Sequence, residues 1–404
     1  MPSAVIVRRA PIVSRARRRP GRVAVVAAIS TTVMTVLPVF LVAGVSVQMS
    51  ADVGLTISRL GVVIAAYWSA SALFSPVAGA LAPRLGERRS MMLATLLGSG
   101  ALAGIALAPD VWWWLIVWLG VAGFGNALGH PPSNALIAQQ VGRRRRALAY
   151  GVKQAAIPLS TLLAGLAVPT LALTVGWRWT FALAAACGLL VLPLLRAVVP
   201  AAPRRRRART RERSALPRRL VPFLVLVSLA SGLGSAQANV VGAFTVSAGV
   251  DLGVAPGVAG LILGIGSVAG AVARPLVGWL ADRGVGGTLA TVSLMLGIGA
   301  VGIAGIAAFS PVAFVIGCVL AFGFGWGWSG LIHYVVSHTT HPHSARATGV
   351  VQSGAYAGSA LGPFVFGFAF DILGTSVGWI VAAAVAAVAA LAALLAHACR
   401  PRTT

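Results

Sequence analysis

Twelve stretches of this chain are apolar and long enough to cross a lipid bilayer as helices. A helix needs about 20 consecutive apolar residues to cross the hydrocarbon core. The segments that qualify are residues 23–47, 58–82, 90–108, 112–138, 147–173, 178–199, 220–247, 257–281, 288–308, 312–336, 347–370 and 376–398. With 58% hydrophobic and only 10% charged residues, the composition is that of a polytopic membrane protein. We therefore predict an all-α integral membrane protein with twelve transmembrane helices in the lipid bilayer, and not a soluble enzyme.

The arginines of the chain fall in every second loop between these segments. Their positions are the tail before Arg22, Arg84 with Arg88 and Arg89, Arg143 to Arg146, Arg204 to Arg219, Arg283, Arg346 and Arg400. Loops rich in Arg and Lys face the cytoplasm. We therefore predict a multi-pass protein of the cytoplasmic (inner) membrane with both termini in the cytoplasm. The same distribution accounts for the net charge of +25 without a nucleic-acid partner.

The second half of the sequence repeats phrases of the first half. Asp52-Val-Gly corresponds to Asp251-Leu-Gly, and Gly123-Phe-Gly corresponds to Gly323-Phe-Gly. Two parallel six-helix repeats place a substrate site between the halves, near the membrane midplane. The predicted units are a cytoplasmic basic tail (1–22), an N-terminal six-helix bundle (23–199), a cytoplasmic basic linker (200–219), a C-terminal six-helix bundle (220–398) and a cytoplasmic tail (399–404).

One repeated phrase carries a charge in the middle of an apolar helix. The stretch from Arg274 to Asp282 corresponds to that from Ser75 to Pro83 at an offset of 199 residues. Arg274 lies eight residues before Asp282, about 12 Å along a helix that rises about 1.5 Å per residue. This places Arg274 near the midplane, where a charge costs roughly 2.5–3.5 kcal/mol on insertion scales. Such residues are candidates for function.

Arg274 has no predicted counter-charge within the membrane. All seven acidic residues of the chain fall in loops or at helix ends. Two interpretations follow. In the first, the guanidinium binds the carboxylate of an anionic substrate through two hydrogen bonds. In the second, Arg274 has a structural role, either on backbone carbonyls or by extending its side chain to the cytoplasm.

These features together resemble the major facilitator superfamily. Its loop signature, Gly-x-x-x-Asp-Arg-x-Gly-Arg-Arg, is matched in part by Gly79–Arg89, which lacks the aspartate, and by Gly278–Arg283, which lacks the trailing basic residues. The phrase Ala-Arg274-Pro-x-x-Gly278 is similar to the eighth-helix signature of monocarboxylate transporters and oxalate-formate antiporters, in which the arginine is implicated in binding substrate carboxylate. The aspartate that the monocarboxylate pattern has one turn earlier is Gly270 here. The resemblance implies the superfamily fold of two six-helix pseudo-repeats, with Arg274 as a substrate-binding residue.

Lys153, the one lysine of the chain, lies about six residues inside the fifth segment. It either extends to the cytoplasm beside Arg143–Arg146 or adds positive potential to a central cavity. The family resemblance implies that the fifth and eighth helices face each other, so that Lys153 and Arg274 would hold opposite ends of one anion. The neighbouring Gln154 and Pro158 predict a bent helix with a polar lining.

Two histidines lie in corresponding segments of the two halves. His130 in the fourth segment precedes two prolines, which disrupt a helix, and His333 lies in the tenth. Each either makes an interhelical hydrogen bond or handles protons. Because no carboxylate is predicted within the membrane, His130 and His333 are the proton-coupling candidates. The predicted substrate-binding residues are Arg274, Lys153, His130, Asn126, Gln154, Gln237, Asn239 and Tyr334.

Three charged residues in the repeated loops are predicted to gate the cytoplasmic end: Asp282, Arg283 and Arg84. Asp282 can reach the start of the fifth helix, where the positive helix end would stabilise the carboxylate. The basic cluster Arg143–Arg146 lies at the same place. We therefore expect Asp282 to hold the cytoplasmic side closed.

The sequence shows no signal for catalysis or for a bound cofactor. His338, His341 and His343 form one short tract that is typical of a solvated turn rather than of a metal site. The three cysteines lack metal-ligand spacing. No phosphate-binding loop is present. We expect no cofactor, no metal and no enzymatic activity.

The sequence thus favours a secondary active transporter that moves a small organic anion, such as a monocarboxylate, by proton symport or anion exchange. A first alternative is an efflux transporter of the same superfamily for a neutral or anionic drug or metabolite, in which Arg274 is structural. A second alternative is a non-transporting membrane sensor. We expect the protein to act as a monomer.

Overall fold

The computed structural model describes residues 19–142, 145–199, 216–308, 310–341 and 343–401. Within these ranges the chain consists of α-helices and short connections, without a β-strand. The first-half helices are α1 (Arg19–Gly44), α2 (Ser46–Val53), α3 (Ile57–Leu85), α4 (Glu87–Ala106), α5 (Trp113–Gln140), α6 (Arg146–Gln154), α7 (Ala156–Ala167) and α8 (Trp177–Val198). The second-half helices are α9 (Val221–Asp251), α10 (Pro256–Asp282), α11 (Leu289–Ile306), α12 (Pro311–Gly323), α13 (Ser329–Thr339), α14 (Ser344–Leu373) and α15 (Thr375–Ala398).

Nine of the twelve predicted segments are single helices, and three are divided. The first segment breaks at Val45, the fifth at Ala155 and the tenth between Gly323 and Ser329. Ten helices of the described chain are long and apolar enough to cross a membrane. The two segments below that limit are α5, which contains Asn126, His130 and a proline pair, and the divided tenth segment. The all-α architecture of twelve segments is confirmed.

The internal repeat is visible in the turns between helices. Gly54 and Gly253 both end a helix with a positive φ, of 66° and 79°. Gly176 and Gly374 both precede a helix with a positive φ, of 100° and 83°. A side chain with a Cβ atom is strained in this conformation. The two halves therefore use glycine at equivalent turns, as two copies of one six-helix unit.

The apolar core is continuous between the halves at one end of the bundle and divided at the other. We call the end at which α1 begins and α15 ends the terminal face, and the other end the opposite face. Toward the opposite face, one cluster joins both halves through residues such as Phe40, Phe244 and Trp326. Toward the terminal face, the second half has its own cluster around Trp328, and the first half has three small ones. The halves are thus sealed against each other at the opposite face.

Small residues allow the two halves to approach closely along two seams. A Cβ atom on Gly61 of α3 would lie 2.3 Å from the Pro363 oxygen of α14. On the second seam, a Cβ atom on Gly165 of α7 would lie 2.4 Å from the Gly260 oxygen of α10. Packing of backbone on backbone through small residues is typical of membrane helices, which lack a hydrophobic driving force for association.

Several predicted units lie outside the described residues in whole or in part. These are most of the 1–22 tail, most of the 200–219 linker, the end of the 399–404 tail, and Arg143 and Arg144 of the basic cluster. The boundaries of the predicted units remain predictions.

The closest glycine contact in the second half gives a test of this packing. A Cβ atom on Gly358 of α14 would lie 1.8 Å from the Gly232 oxygen of α9, whereas one on Gly349 of the same helix would meet nothing within 4 Å. We expect Gly358→Ala to lower stability by roughly 1–3 kcal/mol, because the two backbones must separate. Gly349→Ala should be neutral or stabilising, since Ala favours helix by about 1 kcal/mol over Gly. Thermal unfolding of both variants in detergent is the measurement, and equal melting temperatures would contradict the packing.

Candidate functional site: a cavity between the two halves

A cavity of about 100 Å³ lies between the two halves, where the core divides. Its wall includes Trp326 of the continuous core and Trp328 of the terminal-face core. First-half helices α1, α3, α5, α6 and α7 and second-half helices α9, α10, α13 and α14 all contribute side chains. A site between the halves is the place where parallel-repeat transporters bind substrate.

Arg274 lies in the cavity wall and is only 4% exposed. Its Nη1 donates a hydrogen bond to the backbone oxygen of Gln154, the last residue of α6. Pro158 lies four residues further on and has no N–H group, so this carbonyl cannot receive the usual helical hydrogen bond. A guanidinium of the second half therefore satisfies a carbonyl that a proline leaves free in the first half.

The second acceptor for Arg274 comes from the break in the tenth segment. Its Nε donates to the Trp326 oxygen at 3.2 Å, within the turn that separates α12 from α13. The neighbouring Gly325 oxygen accepts from Gln237 Nε2 at 2.6 Å and from Trp328 Nε1 at 2.7 Å. Irregular backbone persists at membrane depth only when such groups are satisfied. Here Arg274, Gln237 and Trp328 donate the hydrogen bonds to the carbonyls of the break.

No carboxylate of the described residues forms an ion pair with Arg274. The ion pairs of the described chain join Arg178 to Asp52 and to Asp110, near the opposite face. The guanidinium carbon of Arg274 lies 5.6 Å from the centre of the Trp326 ring, within the range of a cation–π interaction. Among the described residues, its Nη2 makes no hydrogen bond. The positively charged side chain of Arg274 therefore lies in the cavity wall with Nη2 available to donate a hydrogen bond.

Lys153 is buried between α5 and α6 and is 1% exposed. Its Nζ donates to Asn134 Oδ1 at 2.7 Å and lies 3.5 Å from His130 Nδ1. Lys153 therefore does not extend to the terminal face, and it reaches the cavity only through His130, which lines the wall. This buried lysine, like Arg274, has no carboxylate partner in the described chain.

Several polar atoms in the cavity wall make no hydrogen bond within the described chain. They are Trp68 Nε1, Gln154 Oε1, Ser231 Oγ, Asn239 Oδ1 and Ser329 Oγ. Buried polar groups are normally hydrogen-bonded, so an unsatisfied set around one cavity calls for a polar occupant or water. His333 in the same wall is fixed, because its Nδ1 lies 2.9 Å from the Ser329 oxygen.

The structure brings together six of the predicted binding and coupling residues around this cavity. They are Asn126, His130, Gln154, Asn239, Arg274 and His333. Asn126 Nδ2 and Asn239 Nδ2 are held by serine hydroxyls, Ser71 at 3.2 Å and Ser359 at 3.0 Å. These bonds position the two amides on opposite walls.

Three predicted binding residues lie away from the wall. Gln237 is fully buried and donates to the helix break, and Lys153 lies behind His130. Tyr334 follows His333 by one residue, and the helical rotation between neighbours turns it toward a different cavity near the terminal face. Direct contact of these three with a ligand in the central cavity is not supported by this geometry.

The wall also has an aromatic part that was not predicted from the sequence. It is formed by Trp68, Trp326, Trp328 and Tyr356. The Trp68 and Tyr356 rings lie 6.3 Å apart across the two halves. The sequence did contain a signal for this aromatic wall. Tryptophans in membrane helices concentrate at the membrane–water interfaces, so Trp68 in the middle of its helix is unusual. The alternation Gly323-Phe-Gly-Trp-Gly-Trp was a second signal, since three glycines disfavour a continuous helix.

The predicted gating residues lie at the terminal face. Both carboxylate oxygens of Asp282 accept backbone N–H groups at the start of α6, from Ala147 at 3.3 Å and from Leu148 at 2.9 Å. Arg283 is exposed and its guanidinium carbon lies 3.7 Å from the centre of the Trp279 ring. Arg84 is exposed at the end of α3. Asp282 thus joins the halves, while a gating role for the three residues remains a prediction.

Metal ligands are not assembled in the described chain, where no group of three or more His, Cys, Asp or Glu could hold an ion. The cavity instead offers a cation, two histidines, amides and hydroxyls around a small space. This chemistry suits reversible binding of a small polar molecule.

Two solved structures share this fold. A bacterial homologue of the human lysosomal transporter Spinster, in an inward-facing and occupied conformation, aligns with a TM-score of 0.72 and 16% identity, covering 94% of this chain and 98% of that one. A D-xylose–proton symporter aligns with a TM-score of 0.73 and 19% identity, covering 94% and 97%. At these identities the likeness establishes the fold alone.

Curated relatives fall into two groups. Human monocarboxylate transporter 11 is 29% identical over 332 residues, which are 74% of this chain and 66% of the relative. A homologue of the multidrug efflux pump PmrA from Lactococcus lactis is 30% identical over 135 residues, 32% of this chain and 31% of the relative. The matches thus span less than two thirds of these relatives. Residues 23–240 and 225–404 each match the Major Facilitator Superfamily. The chain therefore belongs to the Major Facilitator Superfamily.

Proposed function

We propose that this transporter carries a small organic anion of the monocarboxylate type by alternating access. The strongest support is the environment of Arg274 in the wall of the central cavity. Its guanidinium is bonded to two carbonyls and, in the part of the chain that the structure describes, to no carboxylate. A carbonyl dipole solvates a guanidinium without cancelling its charge. A substrate carboxylate supplies the missing negative charge and matches the planar fork of the side chain.

The bond from Arg274 to Gln154 suggests how binding is linked to movement. It crosses between α10 of the second half and α6 of the first half. A carboxylate in the cavity competes for the same guanidinium, and a charged acceptor is stronger than a neutral one. Binding of the anion therefore replaces a bond that holds the two halves together. In this proposal the substrate itself loosens the seam that must open.

Coupling to protons would use the histidines of the wall. His130 lines the cavity on one side and lies 3.5 Å from Lys153 Nζ on the other, so it can pass a proton between them. His333 lies in the same wall beside Gln352, with its Nδ1 against the Ser329 oxygen. The anion then moves together with a proton, or, where the histidines serve only as hydrogen-bond donors, it is exchanged for another anion.

We further propose that the terminal face is cytoplasmic and that the protein lies in the cytoplasmic membrane with both ends inside. The described arginines of the basic loops, such as Arg84, Arg218 and Arg346, lie at this face. Asp282 then acts as an inner latch, with Arg283 next to it in the chain and Arg84 at the end of α3 on the same face. The carboxylate on the first N–H groups of α6 benefits from the positive helix end, by about 0.3–1 kcal/mol.

An efflux transporter for a neutral or anionic drug or metabolite is the second candidate. The aromatic wall of Trp68, Trp326, Trp328 and Tyr356 favours it, since such surfaces accept apolar compounds. The similarity to the homologue of the multidrug efflux pump PmrA from Lactococcus lactis points the same way. In this case Arg274 serves only to satisfy the two carbonyls.

Replacing Arg274 separates these candidates. We expect Arg274→Gln to reduce uptake of a labelled monocarboxylate into proteoliposomes by roughly 10- to 100-fold, since a hydrogen bond to a charged group contributes about 1.5–3 kcal/mol. Arg59→Gln is the control, because Arg59 bonds the Gly54 oxygen near the opposite face, outside the cavity. If Arg274→Gln takes up the monocarboxylate at the wild-type rate, with normal amounts of the variant protein in the membrane, the anion proposal is contradicted. Retained efflux of a neutral compound would favour the second candidate.

Replacing Pro158 tests the competition for Arg274 without changing the arginine. In Pro158→Ala the new N–H can donate to the Gln154 oxygen, so the bond to Arg274 weakens and the guanidinium becomes more available. We expect carboxylate binding to tighten by roughly three- to tenfold, which corresponds to about 0.7–1.4 kcal/mol. Pro193→Ala, at an exposed proline inside α8, is the control. Unchanged or weaker carboxylate binding by folded Pro158→Ala, measured by thermal-shift titration, is the result that contradicts the competition.

The latch is tested at Asp282. We expect Asp282→Asn to raise the population open to the cytoplasm by roughly two- to fivefold, because the charge at the helix end is lost. The measurement is thiol labelling of Ser235→Cys in the cavity wall, in a background without the native cysteines. Asp251→Asn is the control, since Asp251 accepts from Thr375 within the second half at 3.0 Å. Equal labelling of both variants would rule out the latch.

A further inference from the structure

A second cavity, of about 170 Å³, opens at the terminal face of the second half. It lies between the start of α9, the turn before α11, the end of α13 and the end of α15. The volume equals that of about five or six water molecules. It shares no wall residue with the central cavity. The two are separate sites.

Three basic side chains surround this second cavity: His338, His397 and Arg400. Among the described residues, no acidic side chain contributes to its wall. Arg400 forms no ion pair within the same part of the chain. Asp282, the acid in the sequence before the α10–α11 turn, has its carboxylate bonded to the N–H groups of α6 instead. The described residues therefore do not neutralise the positive charge of this cavity.

Neutral donors complete the wall. Thr288, Tyr334 and Thr339 bring hydroxyl groups. Helix α11 begins on the wall at Leu289, so the positive end of an 18-residue helix adds to the field.

His338 has a defined orientation in this wall. Its ring lies against that of Tyr334, with centres 4.2 Å apart, and its Nδ1 lies 3.0 Å from the Tyr334 oxygen. Because a carbonyl only accepts, Nδ1 carries the proton. The Nε2 atom is left for a ligand.

We propose that this cavity binds a phosphate group, supplied by an anionic lipid headgroup or by a free phosphate. Arginine and helix N-termini both recognise phosphate oxygens, and basic pockets between membrane helices hold anionic headgroups. The cavity lies at the ends of α9, α13 and α15, at the depth where headgroups meet the protein. Binding at this second cavity does not depend on which substrate the central cavity takes.

The two sources are distinguished by two titrations of the purified full-length protein in detergent. One adds phosphatidylglycerol, with phosphatidylcholine as the comparison, and the other adds inorganic phosphate, with chloride at equal ionic strength. The readouts are the melting temperature and the number of bound lipids by native mass spectrometry. Stabilisation by phosphatidylglycerol beyond that by phosphate identifies the lipid as the source, and equal stabilisation identifies the free anion.

Variants decide whether the effect arises in this cavity. We expect Arg400→Gln and His338→Gln to weaken the response to either ligand, Arg400→Gln by about tenfold in apparent affinity. Arg89→Gln is the control, since Arg89 is exposed in the first turn of α4, at the corresponding place in the other half. A wild-type response in Arg400→Gln would overturn the proposal. So would a loss of stability in Arg400→Gln that is the same with and without ligand, since Arg400 would then only stabilise the end of α15.

Discussion

A guanidinium without a counter-charge, held at the centre of the bundle, constrains the arrangement of both halves. Placing arginine in mid-membrane costs roughly 2.5–3.5 kcal/mol on insertion scales. Here the compensation comes from two helix interruptions, because Pro158 leaves the Gln154 carbonyl free and the turn before Ser329 exposes the Trp326 carbonyl. Neither the breaks nor Arg274 would be stable alone, since each supplies the hydrogen-bond partner that the other lacks. The kinks and the charge form one structural unit.

Because of these hydrogen bonds, α10 and α6 form a polar contact within an otherwise apolar interface between the two halves. The helices run antiparallel, so that Asp282 meets the first residues of α6 and Arg274 meets the last one. Between these two bonds the backbones touch, with Gly151 against the Arg274 oxygen and Gly278 against the Ala147 oxygen. The first half has Ser75 and Pro83 at the equivalent positions of α3, and neither side chain carries a charge. The Ser75 hydroxyl donates to the Ser71 oxygen within its own helix at 2.6 Å and also interacts with the Tyr356 hydroxyl of α14. The charged links of this kind, from Arg274 and Asp282, therefore come from the second half.

The sequence was sufficient for the parts of this structure that depend on hydropathy and charge. Each single-helix segment ends within four residues of its predicted bounds, because a bilayer fixes both length and composition. The environment of Arg274 could be narrowed to two possibilities, since the acids of the chain are few and peripheral. The direction of Lys153 was not predictable, because either direction fits a helix of that length, and only the position of Asn134 on α5 decides it. Tyr334 was misplaced for a similar reason, since one residue in a helix changes the face by about 100°.

The size of the central cavity bears on which molecule the site can hold. In the conformation described, about 100 Å³ is available, which corresponds to roughly three water molecules. Sites for drug-sized ligands usually occupy about 300–1,000 Å³. A carboxylate with a short carbon chain therefore fits beside Arg274 with little rearrangement, with the aromatic wall in contact with its apolar end. A larger efflux substrate would have to separate Trp68 from Tyr356 and open the seam beforehand, so the closed cavity favours the small anion.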